Sequence, residues 1–278
     1  MIVADPLPMS VDNIQLNLKQ KINNKGTFMR GCCLLTDGRM VLSSWDNDIV
    51  RFINKDGVEL FQIGKDKTGF DKYDTVYIKD NNSVAVSSGG GVNRCITIID
   101  IEKKEIMSTI SMDTTIHSMA VRGRLIYYCA GDKGLKMINL SDKSVSDVIN
   151  SKMSGLDYVA TSRDELYYTT FSTHTVTCCD LHGTAQWEFN NQRVLQHPCG
   201  ISVDNEGNVY VVGYSSNNVV VISSYGQRHR QLLSKKDGLV RPVVLDYNRS
   251  TNKLLVVNEC DTALLFDVTR LQQTNIKT

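Results

Sequence analysis

The chain has 278 residues, with 31 Lys and Arg against 30 Asp and Glu for a formal charge of +1, and 41% hydrophobic against 22% charged residues. That balance excludes disordered, collagen-like and strongly basic classes and supplies no general charge for gripping nucleic acid. There is no run of 18 apolar residues, and the opening MIVADPLPMS has neither the basic start nor the apolar stretch of a secretory signal, so neither a membrane helix nor secretion is expected.

In chain order, the first candidate element is Asn13–Ile22, NIQLNLKQKI, which alternates apolar and polar residues as a half-buried strand does. After it the chain repeats. Turn-like pairs at Asp37-Gly38, Asn81-Asn82, Arg122-Gly123, Arg163-Asp164, Glu206-Gly207 and Thr251-Asn252 follow one another at 41 to 45 residues, each between short apolar runs. A period of that length without helical spacing marks the blades of a β-propeller. The predicted blades span 28–68, 72–113, 115–153, 154–193, 197–236 and 241–270 within a single domain, 1–278. The fifth is the plainest, with strands at Ile201–Val203, Asn208–Val212, Asn218–Ser223 and Arg228–Leu233. The sixth has three strands only. Asn13–Ile22 is expected to supply its fourth, because a propeller closed by its opposite terminus leaves no open sheet edge there. The fold class predicted is all-β, a six-bladed propeller.

Eight cysteines include the adjacent pairs Cys32-Cys33 and Cys178-Cys179, with no Cys-x-x-Cys and none at zinc spacing from a histidine. Most lie in apolar runs, where a thiol acts as a small buried hydrophobe. A reduced protein in the cytoplasm is expected.

The segment HPCGISVDNEGNVYVVGYSSNNVVVIS resembles an NHL repeat at Pro198, Gly200, Ile201, Asp204, Gly207 and Asn217-Asn218. The other blades match more loosely. The chain as a whole resembles the C-terminal NHL propeller of tripartite-motif (TRIM) proteins, of the large invertebrate sets. The resemblance implies a noncatalytic domain that recognises substrates for a ubiquitin ligase, whose RING finger, B-boxes and oligomerising coiled coil would lie outside this chain. Some such propellers bind RNA stem-loops instead. Trp45-Asp46 looks like a WD dipeptide, but no other blade repeats it. Amidating-lyase and lactonase propellers hold metals in the channel, so the channel residues decide whether that chemistry is expected.

Aligning blades on the turn pairs puts Arg30, Asp74, His117, Leu156, Cys199 and Val243 at the channel mouth, with Asp157 next to the ring. Asp74, His117 and Asp157 form a conceivable metal set, but a cation site wants more converging ligands and no arginine among them. No catalytic residue, cofactor or metal is expected. Ser88–Gly91 is glycine-rich but lacks the helix and lysine of a phosphate loop.

The loops joining second to third strands fall on the same face as that ring. Arg30, Trp45, Tyr73, Arg94, Lys133, His174, Tyr214 and Arg241 are the candidate partner-binding residues, beside Lys72, with Trp45 as the aromatic anchor. Asp46, Asp48, Asp74, Asp132, Glu259 and Asp261 interleave with these bases. A mixed face favours a protein partner; RNA recognition on the same face is the alternative and needs a continuous basic surface. The basic stretch Gln227–Lys236 reads as charge protecting the outer edge of blade five, with a basic groove for phosphate as the sharper alternative.

Overall fold

Six turn-punctuated runs become six antiparallel four-stranded sheets. The structure is a computed structural model that describes residues 11–64, 72–89 and 94–271; the side chains of Lys72 and Tyr73 lie outside the described residues. Blade one comprises Met29–Leu34, Met40–Ser44, Ile49–Ile53 and Glu59–Ile63, and blade two Lys72–Ile78, Ser83–Ser88, Cys95–Asp100 and Glu105–Ser111. Blade three follows with Met119–Arg122, Leu125–Cys129, Leu135–Asn139 and Val145–Ile149, and blade four with Val159–Ser162, Glu165–Thr170, Thr175–Asp180 and Ala185–Phe189. Blade five is Pro198–Val203, Val209–Gly213, Asn218–Ile222 and His229–Leu233. Among the described residues the only helical segments are three-residue 3-10 turns such as Gly131–Lys133.

Blade six is built from both ends of the chain. Pro242–Asn248, Lys253–Asn258 and Thr262–Arg270 pair in sequence, and Ile14–Asn23 adds antiparallel to the last, from Ile14 opposite Arg270 to Asn23 opposite Thr262. The expected closure is therefore present, and two arginines of the neighbouring blade reinforce it. Arg228 pairs with the Asp12 carboxylate, and Arg230 donates to the carbonyls of Asp12 and Ile14. The basic stretch on blade five thus clamps the closing strand as well as lining an edge.

The inner strands form a closed ring in which each touches the next, blade six returning to blade one. Glycine permits the closest approaches. A Cβ at Gly31 would lie 2.6 Å from the Asp74 Cα, and one at Gly200 would lie 2.5 Å from the Val244 Cα. Side chains then staple adjacent strands. Asp74 accepts from the Met119 amide at 2.8 Å and the Ser118 hydroxyl at 3.0 Å, and Ser118 in turn accepts from the Val159 amide at 3.2 Å. Two residues deeper, Ser202 accepts from the Tyr247 amide at 3.0 Å and Asp246 from the Leu34 amide at 2.8 Å. Between blades the core is aliphatic: the second and third strands of blade five are buried along their whole lengths. All eight cysteines are free, seven of them buried, and burial pushes the Cys32, Cys33 and Cys129 thiols well up.

Candidate functional site

The contacts correct the ring read from the sequence. Gly31 lies against Asp74, and Gly200 against Val244, so Asp74 stands level with Gly31 rather than with Arg30. Asp74 also points between blades two and three. It is buried against the Met119 amide and the Ser118 hydroxyl, and burial pushes its carboxyl up to about 7. Asp157 is buried too, accepting from the Ser154 amide and hydroxyl and from the Phe171 amide at 2.7 to 2.8 Å. His117 feels the charge of Asp157, although burial dominates and pulls its imidazole down. The set Asp74, His117 and Asp157 does not converge, and among the described residues no three His, Cys, Asp or Glu side chains are placed to hold a metal.

One hydrogen bond spans the channel. The Tyr158 hydroxyl, from blade four, donates at 2.7 Å to the Arg30 carbonyl of blade one, on the opposite side of the ring. Above this bar, on the loop face, lies a braced cluster centred on Glu259. One Glu259 oxygen accepts from the Tyr214 hydroxyl at 3.0 Å and pairs with Arg241 at 3.1 Å, and the other faces Arg30 at 3.9 Å. The Arg30 side chain is 17% exposed, and its Nη1 is buried without a hydrogen-bond partner. Partial burial, followed by the Glu259 contact, pushes the Tyr214 phenol up, while the Glu259 charge raises the Arg241 guanidinium.

Aromatic rings extend the cluster into blade four. Phe171 packs on His197 with ring centres 4.5 Å apart and meets Tyr214 edge-on at 6.0 Å. His174 Nδ1 accepts from the His197 amide at 2.9 Å, a latch that Asn217 repeats one blade later on the Arg241 amide at 2.7 Å. Both latch residues adopt left-handed backbone, at φ 60° and 51°, which asparagine and histidine tolerate better than branched residues do. His174 is thus a brace within the loop face. His197 Nδ1 also sits 2.7 Å from the Ser215 hydroxyl. That is nucleophile–base distance, but a group orienting the base through its far nitrogen is not among its described partners.

Of the candidate residues, Arg30, His174, Tyr214 and Arg241 come together in this network. Trp45 stands beside it on blade one, 44% exposed, with its amide bonded to the carbonyl of Phe28, itself 40% exposed. Arg94 is exposed and donates to the Asp113 carbonyl, and Lys133 is exposed in a 3-10 turn of blade three. Neither has a described contact with the Glu259 cluster. The Tyr73 side chain and the loop 90–93 lie outside the described residues. Sequence reading missed Phe28, Phe171, His197 and the hub role of Glu259. The signal was available in part: Trp45, Phe171, Tyr214 and Glu259 each follow the second strand of their blades directly.

Comparison with known proteins supports the fold. A family described as beta-propeller repeat matches residues 198–219. A search of curated proteins by sequence finds no match. Among solved structures, a structural genomics protein of unknown function from Bacteroides thetaiotaomicron is similar at TM-score 0.72 and 13% identity, covering 92% of this chain and 76% of that one. Virginiamycin B lyase from Staphylococcus aureus is similar at TM-score 0.64 and 14% identity, covering 93% of this chain and all of the other. The chain is a six-bladed β-propeller.

Proposed function

We propose that the protein is a noncatalytic binding propeller that recognises a protein partner on the face carrying the Glu259 cluster. The observation that supports this reading is the joining of Arg30, Tyr214 and Arg241 through one carboxylate, next to exposed Trp45 and Phe28. Loops held by a rigid ring are free to carry recognition, and Trp, Tyr and Arg dominate interface energetics. Such a surface is ordered before the partner arrives, so little conformational freedom is lost on docking. In the finer form of the proposal, the partner is the substrate of a TRIM-type ubiquitin ligase whose catalytic domains are elsewhere. The NHL-like pattern at Pro198, Gly200, Ile201 and Asp204 supports that form.

Immobilised protein, compared with its Trp45→Ala and Arg241→Ala variants, tests the proposal. Truncating an anchor at an interface typically costs about 2 kcal/mol or more. Each variant is therefore expected to lose most of the captured partner while its melting temperature stays near that of the parent. Capture should survive nuclease treatment. If nuclease abolishes it, the ligand on this face is RNA; if both variants capture as the parent does, the face is wrong.

A further inference from the structure

The opposite face holds a cavity of about 250 Å³ where the inner strands run out, with Tyr158 among its lining residues. The Tyr158 hydroxyl, bonded across the ring to the Arg30 carbonyl, bridges the cavity at its inner end, and residues of the turns that join first to second strands line the other. Drug-sized sites occupy roughly 300–1,000 Å³, so the occupant suited to it is small.

Charge at the mouth gives the chemistry. Arg249 reaches from blade six over blade five to blade four, its Nε donating to the Val203 carbonyl and its Nη2 to the Thr161 carbonyl, both at 2.8 Å. Both acceptors are neutral. Among the described residues no carboxylate lies within ion-pair distance of Arg249, and none pairs with Lys79, which also lines the mouth. At contact the guanidinium is held by these carbonyls alone, while the Asp246 and Asp204 carboxylates act on it from beyond ion-pair distance. At the same level, the Thr36 and Tyr77 hydroxyls lie 3.5 Å apart, and the Tyr77 hydroxyl donates to Asn82 Oδ1 at 3.0 Å. The two wall carboxyls, Asp74 and Asp246, are turned onto backbone amides of neighbouring blades, and burial pushes both towards the protonated form. They do not offer an incoming cation a free ligand set.

We propose that this cavity binds a small hydroxylated anion, a carboxylate or a phosphate. Arg249 and Lys79 hold its charge at the mouth, and its body lies against Thr36 and Tyr77. Charge-assisted bonds from a fixed guanidinium are stronger and more directional than those from a solvated lysine, so Arg249 is the main determinant. The site is separate from the loop-face surface.

Calorimetric titration of the full chain with gluconate, glucose 6-phosphate and uncharged glucose tests the proposal, and the first two separate carboxylate from phosphate. At least one anion is expected to bind one-to-one and about tenfold or more tighter than glucose, a difference of about 1.4 kcal/mol. Ala160→Leu, which fills the cavity without changing charge, should abolish that binding, and Arg249→Gln should weaken it about tenfold or more. Lys79→Ala, at an exposed residue, should weaken it less and carries the test if Ala160→Leu does not fold. The proposal is overturned if neither anion saturates the folded protein, if glucose binds as tightly, or if Lys79→Ala and Arg249→Gln both leave the affinity unchanged.

Discussion

Glu259 and Asp74 are both buried carboxylates, yet they answer to different forces. Glu259 faces two arginines, so its charge is compensated. In Glu259→Gln the Tyr214 hydroxyl keeps an acceptor, but Arg30, 17% exposed, loses the charge it faces. Leaving a largely buried cation without its partner is expected to lower stability by about 1–3 kcal/mol, and adding Arg30→Met should recover part of that loss; urea midpoints of the single and double variants measure both. Asp74 has hydrogen-bond donors but no cation, and its carboxyl is raised to about 7. The folded chain then keeps a proton that an unfolded aspartate, with pKa about 3.9, has already lost. Between about pH 4 and 7 the native state binds more protons, so this group makes stability fall as pH rises through that window. Asp74→Asn should flatten the fall, as urea midpoints between pH 5 and 8 would show. A parent stability that does not change with pH would contradict the assignment. Asp74 also shows where counting residues misleads. Gly31 and Asp74 lie level, yet Asp74 stands one residue farther from its turn pair at Asn81 than Gly31 does from its own at Asp37, so counting back from the turns places Asp74 one position too far out.

The repeat was legible at the level of strands because each has to bury apolar side chains between two neighbours, which leaves period-two or solid runs bounded by turns. Boundaries moved by a few residues. The inner strand of blade five begins at Pro198 rather than Ile201, since glycine at position 200 lets it run close against blade six before its side chains show alternation. The closing strand was legible as well, from its pattern and from the missing fourth strand of blade six. The role of Arg228 and Arg230 was not, because their partners lie 216 to 218 residues away in sequence. Removing residues 1–23 should expose the edge of Thr262–Arg270 and abolish cooperative thermal unfolding or cause aggregation, measurable by calorimetry and light scattering. Replacing Arg228 and Arg230 together by Ala is a milder version: the transition should stay cooperative at a lower temperature.

At the scale of the whole molecule, the Tyr158–Arg30 bar separates two faces that differ in chemistry, a braced aromatic and charged surface above and a cation-rimmed cavity below. Fold class was readable from the repeat. The surface was only partly so, because loop residues gain neighbours from other blades that no local pattern records. The joined ends have a further consequence, in time. Thr262–Arg270 is made about 240 residues after its partner Ile14–Asn23, so at about 5–20 residues per second the earlier strand waits roughly 10–50 s for the pairing the fold gives it. Such a pairing, with almost the whole chain between its halves, is also the slowest kind to find by diffusion. Nascent chains arrested before residue 262 should therefore be cut by protease within 14–23 while their early blades resist. Full-length protein should lose that site only after release, and a first strand protected in the arrested chains would show that it has found another partner first.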